Sequence, residues 1–171
     1  MKKLMLLMLV MLVGCDRESP AATVVRAYDN ALVDAYREND VKPIIPFVTK
    51  KERDKVLVLI DLKKASRLVL ECDPPLVTIL KVMQPNPNTA VVETEELWSY
   101  HDRPLDPGVP NPPHFKARMR LQWTLVKENG QFKVDEGKTL DNTYLEPKGY
   151  QVDSLAHGRA RYGQAPTATA K

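Results

Sequence analysis

Cysteine is scarce in this chain, net charge is close to zero, and only one apolar run is long. Each scarcity excludes something. Two cysteines in 171 residues cannot build the disulfide framework of a small secreted scaffold. The formal charge of +3 includes Lys2 and Lys3 and falls to +1 without them, so no nucleic acid or polyanion partner is expected. The apolar run, Leu4 to Val13, is half the roughly 20 residues that cross a bilayer core, and Asp16, Arg17 and Glu18 close it. The patterns HExxH, GxSxG, CxxC and the dinucleotide fingerprint are missing. Gly137-Lys138-Thr139 looks like the end of a phosphate-binding loop, but Phe132 stands where that loop requires glycine. No cofactor is expected, and no internal repeat is visible.

What the amino terminus does contain is ordered. Two lysines precede the apolar run, as in an export signal. The run ends in Leu12-Val13-Gly14-Cys15, which resembles the bacterial lipobox, where the cysteine receives diacylglycerol before the chain is cut ahead of it. The resemblance implies that residues 1–14 are a signal peptide, that Cys15 is the lipidated first residue of the mature protein, and that residues 15–19 form a short leash. Each buried acyl methylene contributes about 0.8 kcal/mol, and stable attachment takes more than one chain, which a diacylated or triacylated Cys15 provides. In enterobacterial lipoproteins an aspartate after the lipidated cysteine favours the inner membrane, and Asp16 occupies that position. The expected place is therefore the cell membrane, facing the periplasm or exterior, with the inner membrane favoured. Acylation of Cys15 leaves Cys72 as an unpaired thiol, which we read as buried.

The remaining residues suffice for one domain, 20–148, followed by a tail, 149–171, whose small polar composition predicts disorder. Ser19 and Pro20 open a helix to about Asn39, with Val24, Tyr28, Ala31, Leu32 and Ala35 on one face. After Pro43 and Pro46, Thr49-Lys50-Lys51-Glu52 has the form of a capping box. A second helix is predicted from there through Val56, Leu59, Ile60, Lys63, Leu68 and Leu70 to Cys72. The period then changes to two. Strands are predicted over Leu76–Met83, Ala90–His101, Phe115–Lys127 and Gln131–Leu140, the last two joined by a hairpin at Glu128-Asn129-Gly130.

Two helices packed on a curved, about four-stranded antiparallel sheet give an α+β fold. The element order, the first helix with Ala27-Tyr28-Asp29-Asn30-Ala31-Leu32, and the last strand with Phe132-Lys133-Val134 are similar to the nuclear-transport-factor-two-like, or SnoaL-like, cone. The resemblance covers Ala21 to about Leu145. It implies a bent sheet wrapped around helices, often enclosing a pocket, and no particular activity, because that scaffold hosts dehydratases, isomerases and assembly domains alike.

Few residues carry chemistry. On the strand from Ala90, Val92, Thr94, Glu96, Trp98 and Tyr100 share one face, so Glu96 approaches the core if the aromatics do, unless Arg118 or Arg120 draws it to the rim. The inward face of the next strand, Phe115 to Leu125, has no titratable group. Glu96, His101 and Tyr100 are the candidate catalytic groups. His101, Asp102 and His114, near the open end of one hairpin, are the candidate metal ligands. Pro104, Pro107, Pro110, Pro112 and Pro113 stiffen a long loop and make it a candidate partner-binding element. Taken together, the sequence points to a non-enzymatic lipoprotein that binds another envelope protein. The alternative is a small-molecule binder or a lyase or isomerase type of enzyme that uses the cone. An open cavity reaching Glu96 would favour the alternative.

Overall fold

The computed structural model describes residues 18–146. The expected signal peptide, residues 1–14, together with Cys15 and the expected tail, residues 149–171, lies outside that range. Helix α1 spans Pro20–Glu38. Ser19 Oγ accepts the Ala22 N–H at 3.1 Å, and Pro20 takes the first turn, where its missing N–H costs nothing. Asn39, at φ +52°, ends the helix by donating its backbone N–H back to Ala35 and Tyr36 carbonyls. Tyr28, Ala31, Leu32 and Ala35 of the predicted face are buried. The buried surface is wider than that stripe, and it includes Ala22, Val25, Asp29 and Val33.

Pro43 and Pro46 lie in a 3-10 turn, Lys42–Phe47, that leads to α2, Lys50–Ala65. The expected capping box does not form. Thr49 Oγ1 donates instead to Asp135 at 2.9 Å, and Glu52 turns inward. Nor does α2 reach Cys72. It stops at Ala65, Arg67 adopts φ +55°, and Leu68–Cys72 becomes strand β1.

Strands β2 (Leu76–Asn86), β3 (Thr89–Pro104), β4 (Phe115–Glu128) and β5 (Gln131–Glu146) complete one antiparallel sheet. The sheet therefore has five strands, one more than the sequence suggested, because β1 is an addition. One edge of β3 pairs with β4 over residues 89–100, and β4 pairs with β5. The other edge of β3 is shared: β2 pairs with residues 89–97 and β1 with residues 100–104. Pro74 and Pro75 separate these two partners, since neither can donate a ladder hydrogen bond. Asn129 and Gly130, both at positive φ, make the tight turn from β4 to β5. The alternation on β4 is as predicted, with Ala117, Leu121, Trp123 and Leu125 buried. Leu121, Trp123 and Leu125 meet Val25, Tyr28 and Leu32 of α1 and Val56 and Ile60 of α2 in one core. Bulges in the β4–β5 ladder bend the sheet around the helices.

Candidate functional site

Strand alternation carries Glu96 into the core with Val92, Thr94 and Trp98, and none of its surface is exposed. Neither Arg118 nor Arg120 reaches it; Arg120 pairs with Glu93 on the outer face at 3.0 Å. Glu96 instead accepts hydrogen bonds from Thr94 Oγ1 at 2.6 Å, Trp98 Nε1 at 2.7 Å and Trp123 Nε1 at 3.0 Å. Burial raises the Glu96 pKa, and the three donors act against that rise. Its lone pairs are therefore committed to the fold.

A second carboxyl lies in the same core. Asp29 of α1 is 1% exposed, and neither carboxyl oxygen has a hydrogen-bond partner among the described residues. Burial pushes its pKa well above the ordinary carboxylate range, the negative charge of Glu96 adds to the rise, and Arg26 opposes it. In this environment the neutral acid is the stable form. Asp29 was not recognisable as a functional group in the sequence, although its place four residues from both Val25 and Val33 puts it on their ridge.

Between α2 and the sheet the cone holds a cavity of about 360 Å³. Leu32, Val56, Leu59, Leu70, Trp98, Tyr100, Met119, Leu121 and Trp123 give it an apolar wall. Gly137 completes it, because a Cβ there would lie 2.3 Å from the Trp123 ring. Glu96 is not on the wall. The carboxylate that does line it is Glu52, which accepts from Tyr28 Oη at 3.1 Å and from Lys55 Nζ at 3.0 Å. Burial and the facing Glu52 carboxylate raise the Tyr28 pKa, which keeps its phenol protonated. Tyr100 reaches the cavity rim and stacks on Phe115 at a centroid distance of 5.9 Å. Cys72 also lines the cavity, and burial pushes its thiol up to about 12, as fits an unreactive core cysteine.

The histidine pair sits elsewhere, at the loop end of the β3–β4 hairpin. The rings of His101 and His114 lie 3.9 Å apart between centroids. His101 is buried, with Nε2 3.3 Å from Glu71 Oε2 and Nδ1 without a partner among the described residues. Asp102 does not join them. As the next residue on the strand it faces the other way and pairs with Lys63 at 2.5 Å. Among the described residues no three His, Cys, Asp or Glu side chains are placed to hold a metal ion. His101 is also separated from Glu96 and Tyr100 by this change of face, so the three candidate catalytic residues do not converge.

The proline loop between β3 and β4 is exposed at Pro107, Pro110 and Pro113, with Pro104 and Pro112 half-buried. Arg67 holds its base through Asp106 at 2.5 Å and through its own carbonyl, which accepts the Leu105 N–H at 2.9 Å. Leu105 and Val109 point large apolar side chains outward. Among the described residues no helix is long and apolar enough to cross a membrane.

The intermembrane-space region of the chloroplast protein ARC6 superposes with a TM-score of 0.62 at 13% identity, over 72% of this chain and 97% of that one. The fold is the nuclear-transport-factor-two-like cone. A type 2 hexachlorocyclohexane dehydrochlorinase, LinA, shares this cone with a TM-score of 0.50 at 8% identity, over 78% of this chain and 95% of the other. No protein-family model and no curated protein matches the sequence. One cone belongs to a dehydrochlorinase and the other to an intermembrane-space region, so the shared architecture fixes the fold and leaves the function to the site.

Proposed function

We propose that this chain is a lipid-anchored binding module of the bacterial cell envelope, whose cone domain holds a partner protein rather than transforming a substrate. The observation that carries this reading is the state of Glu96. A catalytic carboxylate must reach its substrate with a lone pair or a proton available. Glu96 is off the cavity wall and is occupied by a threonine and two indoles. Glu52, which does face the cavity, is occupied by Tyr28 and Lys55. The outward-pointing Leu105 and Val109 on a stiff, anchored loop supply a surface for the partner. Cys15 supplies the membrane attachment, and Asp16 favours the inner membrane. The ARC6 cone, which lies between two membranes, gives a parallel setting.

A photo-crosslinking amino acid at Leu105 or Val109, activated in living cells, tests the reading. A discrete adduct of one mass at these positions and not at Val58 of α2 is expected. Equal, diffuse labelling at all three positions would overturn it.

The cavity itself favours a second reading, in which the cone takes up an apolar small molecule. Calorimetric titration with 1-anilinonaphthalene-8-sulfonate then gives equimolar binding that Leu121→Trp abolishes. Identical heats for the two proteins would remove this reading.

A further inference from the structure

We propose that the cone cavity takes an organic cation, an amine or quaternary ammonium carrying an apolar body, with Glu52 as its counter-ion. The inference rests on the second reading, uptake of a small molecule by the cone, and adds the charge of that molecule. Among the described residues, Glu52 and Lys55 are the charged side chains on the cavity wall. They differ in burial: the Glu52 side chain is 8% exposed and that of Lys55 48%. The carboxylate, held by Tyr28 Oη, is thus part of the wall, whereas the lysine reaches it from solvent, with Nζ 3.0 Å from Oε2. Lys55 lies one turn further along α2, so its long side chain can swing out to water without any movement of the helix. The wall therefore already holds an ammonium group at Glu52, and the ammonium of a ligand can take that place. A buried carboxylate left without a cation is costly, so the exchange is of one cation for another.

The rest of the cavity suits the same charge. Tyr28 and Tyr36 of α1, Trp98 and Tyr100 of β3 and Trp123 of β4 bring five aromatic rings to its wall. Tyr28 and Trp123 form a corner, with ring planes at 79° and centroids 5.4 Å apart. Aromatic cages hold quaternary ammonium groups because ring faces carry negative charge. Glu96 strengthens that field from behind the wall. Its three hydrogen-bond partners all donate, which favours the anionic form of the carboxyl, and two of them are the indoles of the cavity. An indole that donates to an anion is polarised by it and attracts a cation more strongly. An anionic ligand would meet two carboxylates in a medium of low dielectric, and a neutral one would leave the Glu52–Lys55 pair as it is. The volume of about 360 Å³ lies within the usual range of small-molecule sites.

Calorimetric titration with two alcohols of the same shape tests the assignment: para-trimethylammonio-benzyl alcohol, a cation, and para-tert-butylbenzyl alcohol, its neutral isostere. The full chain is held in lipid nanodiscs, with empty nanodiscs as the blank. The cation is expected to bind about tenfold more tightly than the isostere, and Leu121→Trp, which fills the cavity, should abolish the binding of both. Glu52→Gln keeps the shape of the wall and should remove the preference. Lys55→Met removes the competing ammonium and should tighten the cation alone. If circular dichroism shows that Glu52→Gln does not fold, the native comparison and Lys55→Met still decide. If the neutral alcohol or the anionic naphthalene dye binds as tightly as the cation, or if Lys55→Met weakens the cation, the assignment is wrong and uptake of apolar molecules stands. If none of the three binds, both fall.

Discussion

Replacing Asp29 by asparagine should change the pH dependence of stability in a way that exposes the buried acid directly. The native carboxyl is 1% exposed, has no hydrogen-bond partner among the described residues and faces the Glu96 charge, so its folded-state pKa is raised. In the unfolded chain it returns to about 3.9. A raised acid contributes its full stability below that unfolded value and loses it as pH climbs, because the unfolded chain releases the proton first. The loss is about 1.4 kcal/mol per pH unit until the folded value is passed, and then it stops. The side-chain amide of the Asp29→Asn variant has no proton to lose. Urea unfolding followed by far-ultraviolet circular dichroism at intervals above pH 4 should therefore show the variant gaining on the wild type by that slope, then levelling off at the folded pKa. Against a total stability of about 5–15 kcal/mol the effect is easily read. Glu96 titrates in both proteins, so the difference between them isolates Asp29. Glu96→Gln, which removes the facing charge, should bring the levelling point to lower pH. Parallel stability curves with a constant offset would refute the reasoning, since they would mean that Asp29 titrates alike in both states.

Three further outcomes are expected. Glu96→Ala leaves the buried Trp98 indole N–H without an acceptor and the Trp123 N–H with Thr94 Oγ1 alone, and should cost about 2 kcal/mol in urea unfolding, whereas Glu96→Gln keeps an acceptor oxygen and should cost less than half of that. Gly137→Ala puts a methyl group 2.3 Å from the Trp123 ring and should destabilise by about 1–3 kcal/mol, with calorimetry showing a lowered Tm. The Cys72 thiol, pushed up to about 12 by burial, should resist a disulfide reagent at pH 8 in the folded protein and react promptly once urea unfolds it.

Much of the architecture was legible because it is local. Residues 115–127 alternate so regularly that strand, buried face and exposed arginines follow from spacing, and Ser19-Pro20 marks the start of α1. The same alternation brings Glu96 inward with Trp98. Strand β1 was not legible, because Leu68-Val69-Leu70 continues the apolar spacing of α2 and so short an apolar run suits either structure. What decides it is a partner thirty residues away: β3 continues past His101 to Pro104 and offers β1 a free edge. The capping box failed for a similar reason, since Thr49 found Asp135 and Glu52 found Tyr28, both distant in sequence. The facing of His101 and His114 was readable from the hairpin, and the diversion of Asp102 to Lys63 was not, because α2 had first to be placed over that end of the sheet.

Trp98 and Trp123 are the only tryptophans in the chain, and both indoles donate to Glu96. All of the protein's indole emission thus originates at a single spot. A change in its colour or yield reports on that carboxyl and on the cavity that the two rings line, and on no other part of the molecule. The native chain carries its own optical gauge of the cone interior, ready to be read without a dye.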